Sequence, residues 1–287
     1  MPSDAGPPAA PPARRRPRGG ALALALVFAL FGGALIAVLL RARTIEGSVP
    51  GRAGVLSIAV TGAGYVVGTT DGAFASVDGR TWVPIEGVSG PAPVAGDGDR
   101  VLVASGTTLL ETTDLGTLRP VAALPFEATA VGTTSDGAVY VIDRSGNLAR
   151  AEPGAGSATP GGGRGPESVL GLDMAEPGVL YAASLLSGLW RSEDGGGGWT
   201  RILETPAHAV LAAPATADAD ARVLLATPGG VLVSRDGGNS WALSALEVRI
   251  EGLAQHGGAF YAVTGERLVL HSPDGETGWG PLVLPSG

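Results

Sequence analysis

Ser234-Arg235-Asp236-Gly237-Gly238-Asn239-Ser240-Trp241 is the stretch whose reading decides the fold. It has the form S-x-D-x-G-x-[ST]-W. Asp and Ser side chains can accept bonds from nearby backbone N–H groups, glycines supply positive φ, and a Trp pins the outgoing strand. The stretch therefore reads as a tied hairpin, with Ser234, Asp236, Gly238 and Trp241 as its fixed points. Worn copies recur. One keeps Ser192, Asp194, Gly196 and Trp199; Ser76, Asp78 and Trp82 form a copy one residue short; Ser272, Asp274 and Trp279 form one with a shifted glycine.

Outward from each hairpin the chain repeats a unit of three or four short strands. In the clearest unit, Val169-Leu170-Gly171-Leu172-Asp173 leads through Glu176-Pro177-Gly178 to Val179-Leu180-Tyr181-Ala182-Ala183. A Ser187-Gly188 turn, Leu189-Trp190-Arg191, the hairpin and Trp199-Thr200-Arg201-Ile202 follow. Short apolar runs bounded by Gly, Pro and Asp read as a β-meander. Fainter units hold Asp114, with Leu118 in place of Trp, and a blurred hairpin from Asp143 to Leu148. Gly154 to Gly165 reads as a loop; it has no Gly-Lys-Ser/Thr ending for a phosphate cradle. Six such units predict an all-β, six-bladed β-propeller, with seven blades if residues 149–168 conceal another. A two-sheet sandwich is the rival, but it does not call for a Trp-ended hairpin at the same place in every unit.

The hairpin motif resembles the Asp-box, or BNR repeat, of sialidases and related β-propellers. The resemblance spans residues 55–285. It implies that the boxes are structural turns between the third and fourth strands of a blade, on the face away from any active site. Propellers of the sialidase, xyloglucan-degrading, sortilin and photosystem II assembly-factor types share it. A sialidase would carry three substrate-clamping Arg, a Tyr–Glu nucleophile pair and an acidic proton donor. This chain has no F-R-I-P-like string, and Tyr65, Tyr140, Tyr181 and Tyr261 each sit in an apolar second strand that reads as core.

The 287 residues include 47 Gly and 22 Pro, favouring turns and short strands over long helices. No Cys is present, which excludes disulfides, thiol catalysis and Cys-zinc sites. The net charge of −8 conceals two parts: residues 1–43 carry six Arg against Asp4, and the remainder carries 13 Arg against 26 acids. So acidic a body would repel nucleic acid. Residues 1–18 read as a disordered Pro/Arg-rich tail. Residues 19–40 read as an uncleaved transmembrane signal anchor, too long for a signal-peptide core and flanked by Arg on both sides. Four Arg before the span and two after it place the N-terminus in the cytoplasm. Residues 41–54 would be a linker, and 55–287 an extracytoplasmic propeller.

No catalytic constellation emerges, and no cofactor or metal is expected. His208, His256 and His271 are scattered, and Asp97-Gly98-Asp99 lacks the rest of a calcium loop. The turns opposite the boxes supply Asp71, Asp143, Arg144, Glu266 and Arg267 as a candidate binding face, with Glu86, Glu127, Glu204, His208, Glu247 and Arg249 from the blade-to-blade loops. The expected function is membrane-anchored binding or scaffolding of a protein or envelope-glycan partner. The alternative is a sialidase-type glycoside hydrolase with worn motifs.

Overall fold

A computed structural model of the chain describes residues 48–215 and 221–282. Among these residues no helix is long and apolar enough to cross a membrane, and the expected anchor at 19–40 lies outside them.

Six sheets follow one another along the chain, antiparallel throughout except for one short parallel pairing in the second. Blade 1 comprises β1 (Val55–Thr61), β2 (Gly64–Thr69), β3 (Gly72–Ser76) and β4 (Val83–Pro84). Blade 2 comprises β5 (Val94–Asp97), β6 (Arg100–Ser105), β7 (Thr108–Thr112) and β8 (Arg119–Ala123). Blade 3 begins with β9 (Ala130–Thr133), β10 (Val139–Ile142) and β11 (Asn147–Ala151). After a crossing strand, β12 (Gly156–Ser157), it ends with β13 (Thr159–Arg164). Blade 4 comprises β14 (Val169–Glu176), β15 (Val179–Ser184), β16 (Gly188–Ser192) and β17 (Thr200–Leu203). Blade 5 comprises β18 (Ala209–Ala213), β19 (Arg222–Thr227), β20 (Gly230–Ser234) and β21 (Ala242–Leu243). Blade 6 comprises β22 (Ile250–His256), β23 (Ala259–Thr264), β24 (Val269–Ser272) and β25 (Gly280–Pro281).

The second strand of each blade is pressed between neighbouring blades, which is why it reads as a continuous apolar run. β10 and nearly all of β15 and β19 are buried, whereas β4 and β21 are exposed. Six apolar cores fill the junctions between successive blades, and the box Trp of a blade packs against the blade before it. Trp199 joins the core between blades 3 and 4, Trp241 that between 4 and 5, and Trp279 that between 5 and 6. Trp82 closes the ring between blades 6 and 1, while Leu118 takes the place between 1 and 2.

The ring closes without exchanging a strand, because blade 1 is built wholly from the first four strands and blade 6 wholly from the last four. Packing and two end segments hold the seam. Val49, within the stretch read as linker, is buried there, and its N–H donates to the Arg267 carbonyl at 3.0 Å. At the other end, the Leu282 N–H donates to the Val269 carbonyl at 3.1 Å.

Blade 3 corrects two readings. Residues 143–146 are the turn between β10 and β11, opposite the boxes, so Leu148 lies on a third strand and does not replace a box Trp. The glycine-rich stretch is not a loop. The chain leaves β11, pairs in parallel with β8 through Gly156 and Ser157, and returns as the outer strand β13. Six blades result, with no hidden seventh. The junction between blades 2 and 3 lacks an indole, and a cavity of about 350 Å³ lies there, bordered by Leu102, Leu109 and Val139.

The glycines of β13 have a steric cause. A methyl group on Gly163 would be driven into the Gly196 and Gly197 carbonyl oxygens of the next hairpin, whereas one on Gly162 would meet open space. Gly163→Ala should therefore cost about 1–3 kcal/mol in urea unfolding, and Gly162→Ala should be close to neutral. Equal stability of the two variants would show that β13 does not run beneath that hairpin.

Candidate functional site

The sequence-selected hairpins act as backbone clasps. In blade 5 the Ser234 hydroxyl donates to Asp236 Oδ1 at 2.8 Å, the Gly238 N–H donates to Ser234 Oγ at 2.8 Å, and the Ser240 N–H donates to Asp236 Oδ1 at 2.9 Å. The same pattern ties Ser192 to Asp194 and Gly196, and links Ser76 to Asp78 and Ser272 to Asp274. Gly237 and Gly238 adopt φ of 71° and 97°, in the left-handed region where a side chain is strained. Blade 2 makes the clasp with Thr112, whose hydroxyl donates to Asp114 Oδ1 at 3.0 Å. Leu115 there accepts a φ of 63° and buries its side chain.

Donors from Ser240 and then Ser234 hold the Asp236 carboxyl down to about 2; the Thr81 and Arg80 N–H groups lower Asp78 in the same way. Stability from these clasps is fully present above the ordinary carboxylate value and is lost as pH falls from there through the lowered folded values.

On the opposite face, the candidate residues differ in how far they are committed. Asp143 is consumed by its own turn, accepting the Ser145 and Asn147 N–H groups at 2.8 Å each. Arg267 acts as a strap: its guanidinium donates to the carbonyls of Pro50, Gly51 and Ala53 and anchors the incoming chain. Burial lowers its pKa, and the nearby Asp71 carboxylate opposes that shift. Asp71, Arg144 and Glu266 are exposed.

Glu266 borders a groove of about 620 Å³ on blade 6. Val248, Leu268 and Leu270 supply its apolar part, and Arg249, Glu251 and Glu266 its charges. Arg249 Nε lies 2.6 Å from Glu251 Oε1, and Glu251 Oε2 lies 3.6 Å from Nδ1 of the buried His208. Burial lowers the His208 pKa, and Glu251 pulls the other way. The groove thus brings Glu266 together with Arg249 and Glu251, and His208 stands behind Glu251 without lining it. Among the described residues, no group of three or more His, Cys, Asp or Glu side chains could hold a metal ion.

The first strands line a central channel of about 430 Å³. Three side chains bridge neighbouring strands across its wall. Ser57 Oγ accepts the Val94 N–H at 2.7 Å, Thr133 donates to the Gly96 carbonyl at 3.2 Å, and Asp173 Oδ2 accepts the Ala212 N–H at 2.8 Å. Asp173 was missed as a site residue because it stands at the end of an ordinary apolar run. In strand register it corresponds to Ala59, Ala95, Leu211 and Ala254. Stacking the repeats by register, rather than by their boxes, would have exposed it. Burial pushes its carboxyl up to about 7, against the lowering effect of the Ala212 and Met174 N–H groups.

A ring of six blades, five of them clasped, around a narrow channel defines an all-β, six-bladed propeller. Comparisons with solved structures agree. The chain resembles YCF48 bound to D1 peptide (TM-score 0.52, 16% identity, 76% of this chain and 77% of that one). It also resembles YCF48 from Cyanidioschyzon merolae (TM-score 0.52, 11% identity, 79% of this chain and 97% of that one). A third similar structure is the Niastella koreensis GH74 enzyme (TM-score 0.52, 18% identity, 80% of this chain). This chain spans only 38% of that enzyme. No protein-family model and no curated protein matches the chain.

Proposed function

We propose that the chain is a non-catalytic Asp-box propeller that captures an extended peptide segment of a membrane or envelope protein. Residues 19–40 tether it to the membrane, and the propeller lies outside the cytoplasm. The observation that carries the reading is the blade 6 groove: an apolar floor with charges of both signs at its edge suits a peptide with alternating apolar and polar side chains. The same fold in YCF48 has been solved with a peptide bound, which lends support.

The test is capture from membrane extracts by the full-length chain. Arg249→Ala combined with Glu266→Ala removes two exposed charges from the groove edge. The pair should reduce retention of the wild-type partner at least fivefold and weaken its salt dependence, with the wild-type circular-dichroism spectrum retained. Unchanged retention would move the binding site elsewhere.

The likeness to the GH74 enzyme favours a second reading, glycoside hydrolysis. It requires two carboxylates roughly 5–10 Å apart beside the substrate. Turnover of a fluorogenic sialoside or a xyloglucan oligosaccharide by the purified chain would establish it in place of the binding role.

A further inference from the structure

The channel presents a problem of charge. Its lining holds three carboxylates, Asp97, Asp173 and Glu176, and no Lys, Arg or His. Asp97 is neutralised by Arg100 at 2.7 Å, and Glu176 is exposed at the end of its strand. Asp173 lies deeper and forms no ion pair among the described residues; the Ala212 N–H is its bridge to the next blade. Besides Asp97 and Glu176, the other polar side chains of the lining are neutral: Ser57, Thr133, Thr134, Ser135 and Gln255. Tyr181, opposite Asp173 on β15, donates its hydroxyl to the Gly237 carbonyl at 3.1 Å. A carboxylate part-buried in a largely apolar channel with no cation beside it is costly, and its charge is balanced most cheaply by a ligand that brings one.

The rest of the wall is apolar. Leu56, Leu170, Leu211, Leu253 and Met174 line it, and a volume of about 430 Å³ lies within the usual range for small-molecule sites. A metal ion is poorly served there, because calcium and magnesium seek about six oxygen ligands and the wall is largely aliphatic. Anions meet uncompensated negative charge. A wholly apolar guest would leave the carboxylate unbalanced.

We propose that the channel is a binding site for a small organic ammonium ion, with its apolar body along the Leu211–Leu253 wall and its nitrogen against the Asp173 carboxylate. This site is independent of the blade 6 groove, so either assignment can fail alone. Ammonium binding requires the ionised carboxylate, and a carboxyl pushed up to about 7 is mostly protonated at pH 6 and mostly ionised at pH 8. Affinity should therefore rise about tenfold between those values.

The experiment titrates the full-length chain with hexylammonium, hexanol and hexanoate, three probes of matched length that differ in charge, using calorimetry or ligand-observed NMR. At pH 8 hexylammonium should bind at least tenfold more tightly than hexanol, and hexanoate should not bind. Asp173→Asn keeps an acceptor for the Ala212 N–H and removes the charge, so it should bind hexylammonium and hexanol alike. Equal binding of the two probes by the wild type, or hexylammonium binding unaltered in Asp173→Asn, would overturn the proposal. The wild-type preference for hexylammonium over hexanol and hexanoate decides independently of whether that variant folds.

Discussion

Trp82→Ala should lower the unfolding free energy by about 3–5 kcal/mol, as a large-to-small core change. The melting temperature should fall by roughly 10 °C or more for a domain of this size. Trp82 is only 7% exposed and packs with Ile58, Val67, Val263 and Leu282 at the seam between blades 6 and 1. No strand is exchanged across this seam, so the lost packing is not replaced by a shared ladder of hydrogen bonds. Trp241→Ala should cost less. Its ring is half-buried, and its Nε1 donates to the Gly238 carbonyl at 3.1 Å within the same hairpin. Urea unfolding of the two variants checks the order, and a larger loss at Trp241 would place the weak seam elsewhere.

Asp173→Asn should stabilise the protein by about 2–4 kcal/mol at pH 8 and by little at pH 4. The sign follows from the folded carboxyl being pushed up to about 7 from an ordinary 3.8. Below 3.8 both folded and unfolded carboxyls are protonated, and the charge costs nothing. As pH rises toward 7, the unfolded chain ionises freely while the folded one resists, so stability is lost across that window. Removing the charge removes the loss. The hairpin aspartates act in the opposite direction, losing stability as pH falls. The mutant-minus-wild-type difference isolates Asp173 from them. A variant equally destabilised at both pH values would show that Asp173 carries no burial penalty.

The sequence made the architecture legible because the clasp needs particular atoms at particular spacings. Ser234, Asp236 and Gly238 cannot be exchanged freely while their bonds survive. Thr112 shows how one such exchange makes a working clasp faint in the sequence, since its hydroxyl does the work of Ser with a methyl added. β13 was illegible for a different reason. It is an outer strand with little burial, so no apolar alternation marks it, and its glycines look like a linker until the neighbouring hairpin is placed above them.

The candidate face was legible only as a set of turns. Charge alone did not distinguish Arg267, which ties down Pro50 to Ala53, from Glu266, which stands at the groove. Backbone carbonyls and buried volume separate them, and neither is written in a run of turn residues. Asp173 acquires its meaning only from five other strands brought into the same ring.

The claim that the clasped hairpins build the fold while the opposite face binds is tested most directly by site-specific photocrosslinking. A benzophenone side chain is placed at Glu266, beside the groove, or at Arg80, exposed in the blade 1 hairpin on the other face. Each full-length variant is irradiated in its native cells. Binding through the blade 6 groove predicts a partner adduct from position 266 and none from position 80. An adduct from position 80 alone would contradict it and assign the working surface to the hairpins.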